Sequence, residues 1–217
     1  MVTSRRVVAV LSAACCAAAI AASPAAARRA IRIEPAGEIT KVVEAFTITA
    51  FGGEVSIICG LTLRGRLAPQ IQKAAARRLP EGRMGQITEG TAEGCRTNFG
   101  GEARVIILNN QERPINLRYE AFLGILPGIT GIRFTKLNFE LKVDEPVILG
   151  NCLYRGNPRL LLSFPPVEDG RGRRFNDETF VAPSLVPVIE GGPECAPEVT
   201  LSGRGRVMPP QFAVLLD

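Results

Sequence analysis

The 217-residue sequence contains no histidine and no tryptophan, only two tyrosines, and four lysines against 22 arginines. Each shortage excludes something. Without histidine there is no Ser-His-Asp or Cys-His nucleophile pair, no histidine-bearing zinc site and no imidazole general base, which removes most hydrolase mechanisms. With no tryptophan and only Tyr119 and Tyr154 as tyrosines, the chain is short of the aromatic girdles of an outer-membrane barrel and of the platforms on which sugar rings stack. Both tyrosines are expected at the edge of a core. Nucleophile elbow, phosphate-binding loop and dinucleotide-binding patterns are absent too, the glycines falling at turns. No cofactor and no metal are expected. Residues 28–217 hold 24 basic and 21 acidic side chains with no extended block of either sign, so composition gives no reason to expect a nucleic-acid partner.

What is present begins with a processing signal. Arg5 and Arg6 precede an apolar run from Val7 to Ala22, Pro24 breaks it, and Ala25-Ala26-Ala27 form a small-residue cleavage site, the layout of an export signal over 1–27. A retained membrane helix wants about 20 apolar residues, and this run has 16 with a cleavage site behind it. A lipid anchor on Cys15 or Cys16 wants a branched residue three positions upstream, where Ser12 and Ala13 stand. The expectation is a secreted chain of residues 28–217, extracellular or associated with the cell envelope, with no membrane span after cleavage. Four cysteines remain, Cys59, Cys95, Cys152 and Cys195, and an even count in an exported chain predicts two disulfides. Three pairings are open. Cys59 with Cys95 and Cys152 with Cys195 is favoured because each pair brackets one continuous run of strands.

Periodicity predicts an all-β chain. Ile115, Leu117, Tyr119 and Ala121 alternate with polar residues, a turn follows at Gly124-Ile125-Leu126-Pro127-Gly128, and the return carries Ile132 and Phe134 on one parity, then Leu137, Phe139, Leu141 and Val143 on the other. The change of parity predicts a β-bulge near Thr135-Lys136. Phe46, Ile48 and Ala50 face Val55, Ile57, Cys59, Leu61 and Leu63 across Gly52-Gly53, a hairpin with a two-residue turn. Met84–Cys95 reads as an edge or bulged strand, Val105–Leu108 as a central one, and Pro165–Thr179 as a long polar loop. Pro69–Leu79, with Ala74-Ala75-Ala76 and Pro80 behind it, predicts a helix. The sum is a single-domain antiparallel β-sandwich or β-barrel-like fold with one short helix near 69–79.

The order Pro114, then Tyr119-Glu120-Ala121-Phe122-Leu123-Gly124-Ile125-Leu126-Pro127-Gly128-Ile129, then Cys152-Leu153-Tyr154, resembles uncharacterised small secreted proteins of high-GC Gram-positive (actinobacterial) bacteria. The resemblance covers about a fifth of the chain. It implies export and disulfides, and it implies no activity and no functional residues.

Two patterns carry chemistry. Glu168-Asp169 and Asp177-Glu178 are the only clustered acids in the polar stretch, and a glycosidase needs two carboxylates about 5 to 9.5 Å apart; as turn formers beside glycine they need no such role. Arg-Gly-Arg occurs three times, at Arg64 to Arg66, Arg171 to Arg173 and Arg204 to Arg206, with Arg174 alongside. If those strand ends and that loop meet on one rim, their guanidinium forks suit phosphate or carboxylate groups. The sequence therefore leads to an exported, non-catalytic, envelope-associated binding module whose partner is an anionic envelope polymer or another surface protein. The alternatives are a self-associating wall component and an acid-pair glycoside hydrolase.

Overall fold

The computed structural model describes residues 30–68, 72–73, 81–123, 129–145, 150–181 and 184–216; the expected leader and the expected turn at 124–128 lie outside the described residues. Within them the chain is all-β. In order the strands are β1 (Ala30–Glu34), β2 (Gly37–Ala50), β3 (Val55–Leu67), β4 (Gln72–Lys73), β5 (Glu81–Thr97), β6 (Arg104–Ile107), β7 (Ile115–Leu123), β8 (Ile129–Thr135), β9 (Phe139–Glu145), β10 (Cys152–Gly156), β11 (Leu160–Ser163), β12 (Val167–Glu168), β13 (Arg174–Phe180), β14 (Leu185–Glu190), β15 (Glu198–Ser202), β16 (Arg204–Met208) and β17 (Phe212–Leu216).

Eight of these strands close on themselves. The pairings run β2-β3-β5-β7-β8-β11-β13-β16 and return from β16 to β2, all antiparallel. A ring of this size has an interior about wide enough for side chains to fill. Ile39, Leu63, Ile87, Leu117, Phe134, Leu162, Phe180 and Val207 fill it, one alternate parity from each strand.

A second, ring-like layer shares the long strands β2, β3 and β5. Past Val43, β2 leaves β16 and takes β15 as its neighbour. The order β15-β14-β10-β9-β6 follows, and β6 returns beside β5 through an Arg96–Glu102 bridge and the Ala103 N–H on the Cys95 carbonyl, 3.0 Å. The change of neighbour happens at a bulge. Ile39, Lys41 and Val43 are buried, Glu44 and Ala45 are both exposed, and burial resumes at Phe46, Ile48 and Ala50. The extra residue bends the strand and lets one chain segment serve two rings. Further along, inside the first ring, β3 and β5 come so close that Gly65 and Gly85 are required by contact: a Cβ on either would sit 2.2 Å from a carbonyl oxygen of the facing strand.

One hydrophobic core runs through both rings. At the junction Phe46 stands edge-on to Phe139 at 6.4 Å and tilted against Phe180 at 5.5 Å between ring centres. Both disulfides lie in the second ring. Cys59–Cys95 ties β3 to β5, and Cys152–Cys195 ties β10 to the segment before β15. β1, β17 and β4 make a separate three-stranded sheet.

Several expectations need correction. In the stretch expected to be a helix near 69–79, Gln72 and Lys73 form β4, paired with Ile31 and Ala30; its other residues lie outside the described ones. The single helical turn among the described residues is a 3-10 turn at Phe51–Gly53. The β2–β3 connection is four residues long, since Ala50 pairs with Val55. β5 is bulged as expected, but residues 85–87 pair with both β3 and β7 and are central. β6 ends the strand order and pairs with β9 alone. The parity change after Phe134 is a corner between rings. Lys136 and Asn138 take positive φ (55° and 54°) around buried Leu137, and the chain passes from β8 to β9. The polar stretch after Pro165 is a short hairpin, and β13 is a wall of the first ring.

Candidate functional site

The outer wall of the first ring carries a groove of about 510 Å3 between β12, β13, β16 and β2. Strand register builds it. Val167 pairs with Phe175, Asp177 with Arg206, and Arg206 with Val42, so their outward side chains stand in one row. Phe175 and Val167 give the groove an apolar floor. The Arg206 guanidinium lies over the Phe175 ring at 5.0 Å, and Arg204 makes a close ion pair with Asp177. Arg206 also faces Glu44 at 3.7 Å, a loose pair in which the arginine is 40% and the glutamate 75% exposed.

The other expected arginines are placed as follows. Arg171 and Arg173 belong to the turn that joins β12 to β13, and Arg174 opens β13. Asp169 organises that turn: it accepts from the Arg171 and Arg173 N–H groups at 2.9 and 3.0 Å and from Arg173 Nε at 2.8 Å. The Arg173 N–H above all, then the Arg171 N–H and the Arg173 guanidinium, hold its carboxyl below the ordinary 3.8. Arg173 is thereby taken up, Arg174 lies over Phe212 at 5.5 Å, and Arg171 has no acid partner among the described residues. Arg64 and Arg66 are exposed on β3, Arg64 facing Glu89 at 3.7 Å and Arg66 opposite Glu38 in the ladder. The structure brings Arg204 and Arg206 together in one groove, with carboxylates interleaved. It does not gather all seven arginines on one rim.

The candidate acid pair Asp177-Glu178 separates. Asp177 points out to Arg204, whereas Glu178 points into the first ring and meets Lys41, Oε2 to Nζ at 2.5 Å. Neighbouring residues on a strand face opposite sides of the sheet, so these two carboxylates cannot flank one bond. The Lys41–Glu178 pair itself was not expected. Both side chains are 4% exposed, and Lys41 Nζ sits 4.7 Å from the centre of the Phe180 ring. They border a cavity of about 30 Å3 inside an otherwise apolar ring, with Gln211 beside them, space for one or two waters. The available signal was Lys41 standing between Ile39 and Val43 on an inward parity. Tyr154 is fully buried in the second ring, and burial pushes its phenol up to about 12.

Among the described residues no cluster of three His, Cys, Asp or Glu is placed to hold a metal, and no helix is long and apolar enough to cross a membrane. No protein-family model matches the chain, and comparison with curated proteins and with solved structures finds no match.

Proposed function

We propose that this chain is an exported, non-catalytic, envelope-associated module that binds carboxylate- or phosphate-bearing polymers through the Arg204–Arg206 groove. The observation that carries the reading is Arg206. It is oriented by stacking on Phe175, and its acid partner among the described residues is a loosely held, exposed Glu44, which a ligand anion can displace at little cost. Arg171, without an acid partner among the described residues on the turn that begins at the β12 wall, extends the basic surface. Two disulfides fit an oxidising compartment. The test is co-sedimentation of residues 28–217 with isolated anionic envelope polymers across a salt series. Binding should fade as salt rises and weaken at least tenfold when Arg171 and Arg206 are both changed to alanine. No binding at low salt overturns the proposal.

A further inference from the structure

Two loops at one end of the molecule carry the same four residues. Phe51-Gly52-Gly53-Glu54 joins β2 to β3, and Phe99-Gly100-Gly101-Glu102 follows β5. Asn98 fastens them side by side: its N–H donates to the Ser56 carbonyl at 2.9 Å, its Oδ1 accepts from the Ser56 N–H at 3.0 Å, and its Nδ2 donates to the Glu54 carbonyl at 3.0 Å. Gly52, Gly53 and Gly100 adopt positive φ of 66°, 111° and 83°, and Phe51 itself has φ 49°, where a bulky side chain is unfavourable. Neither ring of the repeated motif is spent on the core, since Phe99 is 70% and Phe51 38% exposed. An aromatic side chain placed twice at the apex of a rigid, glycine-flanked loop is a contact surface.

Charge decides what it contacts. Each phenylalanine is followed within three residues by an acid, Glu54 or Glu102, and neither tetrapeptide contains a lysine or arginine. A two-fold contact of tip against tip would bring four carboxylates together, and an anionic lipid surface would repel them. The complementary surface is concave, has an apolar floor and is walled by arginine. That describes the groove over Val167 and Phe175, where Val167 is 41% exposed and Arg206 is ready to exchange Glu44 for another carboxylate. A tip cannot reach the groove of its own molecule: Ala50 and Val42 are eight residues apart along β2, about 26 Å of extended strand.

We infer that the paired Phe-Gly-Gly-Glu tip of one copy seats in the Arg204–Arg206 groove of a second copy. Such a contact is heterologous, and it propagates from copy to copy unless the rotation closes it. The inference rests on the reading of the groove as the molecule's contact surface, but names a partner other than the polymer.

The experiment is sedimentation velocity on the oxidised protein, residues 28–217, with two variants, F51A/F99A, which lacks the tip, and Arg206→Glu, which reverses the groove. The wild type should grow in mass with concentration, less so at high salt. Each variant alone should be monomeric, at least tenfold weaker in association. An equimolar mixture of the two should form a dimer that grows no further, because it joins the one intact tip to the one intact groove. Val167→Asp should behave as Arg206→Glu does, which guards against a fold defect in either. A wild type that stays monomeric at every concentration, an Arg206→Glu protein that still self-associates, or a mixture that stays monomeric each overturns the inference. Polymer co-sedimentation separates the two readings. F51A/F99A keeps polymer binding if the groove reading holds, and dimer formation without any polymer binding would remove the polymer and keep the self-contact.

Discussion

Replacing Lys41 with methionine should destabilise the protein severely, and replacing its partner as well should restore it. Lys41 and Glu178 sit inside the first ring at 4% exposure with Nζ and Oε2 2.5 Å apart, among Ile39, Leu63, Leu162 and Phe180. Desolvating two charges costs several kcal/mol each, and their attraction only offsets that. Lys41→Met leaves the Glu178 carboxylate buried without its cation, a loss of about 3–5 kcal/mol. Glu178→Leu alone strands the ammonium near the Phe180 ring and should cost a similar amount. The double variant K41M/E178L removes both penalties and fills the small cavity with carbon, so it should lie between the wild-type stability and about 4 kcal/mol above it. Urea unfolding followed by circular dichroism measures all four proteins, and equal slopes confirm that the cycle compares like states. Single variants each costing under about 1 kcal/mol, or a double variant worse than either single, would refute the claim that this pair is a buried, mutually dependent unit.

Three further outcomes follow from the same geometry. Removing either disulfide, as C59A/C95A or C152A/C195A, releases loops of 36 or 43 residues in sequence separation and should cost about 4 kcal/mol on the loop-entropy estimate, read as a lower unfolding midpoint that remains a single transition. Asp169 has a folded pKa below 3.8, so it contributes stability above its unfolded value and loses it as pH falls through the folded one; Asp169→Asn should abolish that acid limb and speed tryptic cleavage after Arg171 and Arg173 already at neutral pH. Tyr154 binds its proton more tightly folded than unfolded, with a value near 12 against an ordinary 10.0, so stability should decline as pH rises between those values, and Tyr154→Phe should flatten the decline in alkaline unfolding measured against pH.

How far the letters lead depends on what each residue's neighbours are. Alternation in Val55, Ile57, Cys59, Leu61 and Leu63 sets the inward face of β3 directly, and all five are buried, because a half-covered strand shows its face in its own two-residue period. The hairpin of β7 and β8 is local and equally legible. Ring closure is not: β16 meets β2 through Gly205 and Val43, about 160 positions apart, and the same alternation serves a sandwich or a barrel. The bulge that lets β2 change rings is written in the shift from Ile39 and Val43 to Phe46 and Ile48, and a like shift of parity stands near Thr135. There the parity change marked a corner, since positive φ at Lys136 and Asn138 ends a strand as readily as an extra residue bends one. For the site, three Arg-Gly-Arg triplets were visible, but Asp177, Glu44, Glu89 and Asp169 as their partners were not. Inward charge was the least visible of all, because a lysine in a strand is read as solvated unless something across the ring answers it.

The strands that belong to both rings set the order in which a growing chain becomes safe. β2, β3, β5, β7 and β8 can form a meander as soon as they emerge, and Cys59 and Cys95 are both present by then. The far side of β2 stays open until β15 and β16 arrive, about 150 positions later. For all that time it offers a long row of unpaired backbone groups to any other strand. A chain stalled before β15 is thus left with an adhesive edge across both rings at once, and β15 and β16 act as the seal that turns a sticky sheet into a closed one.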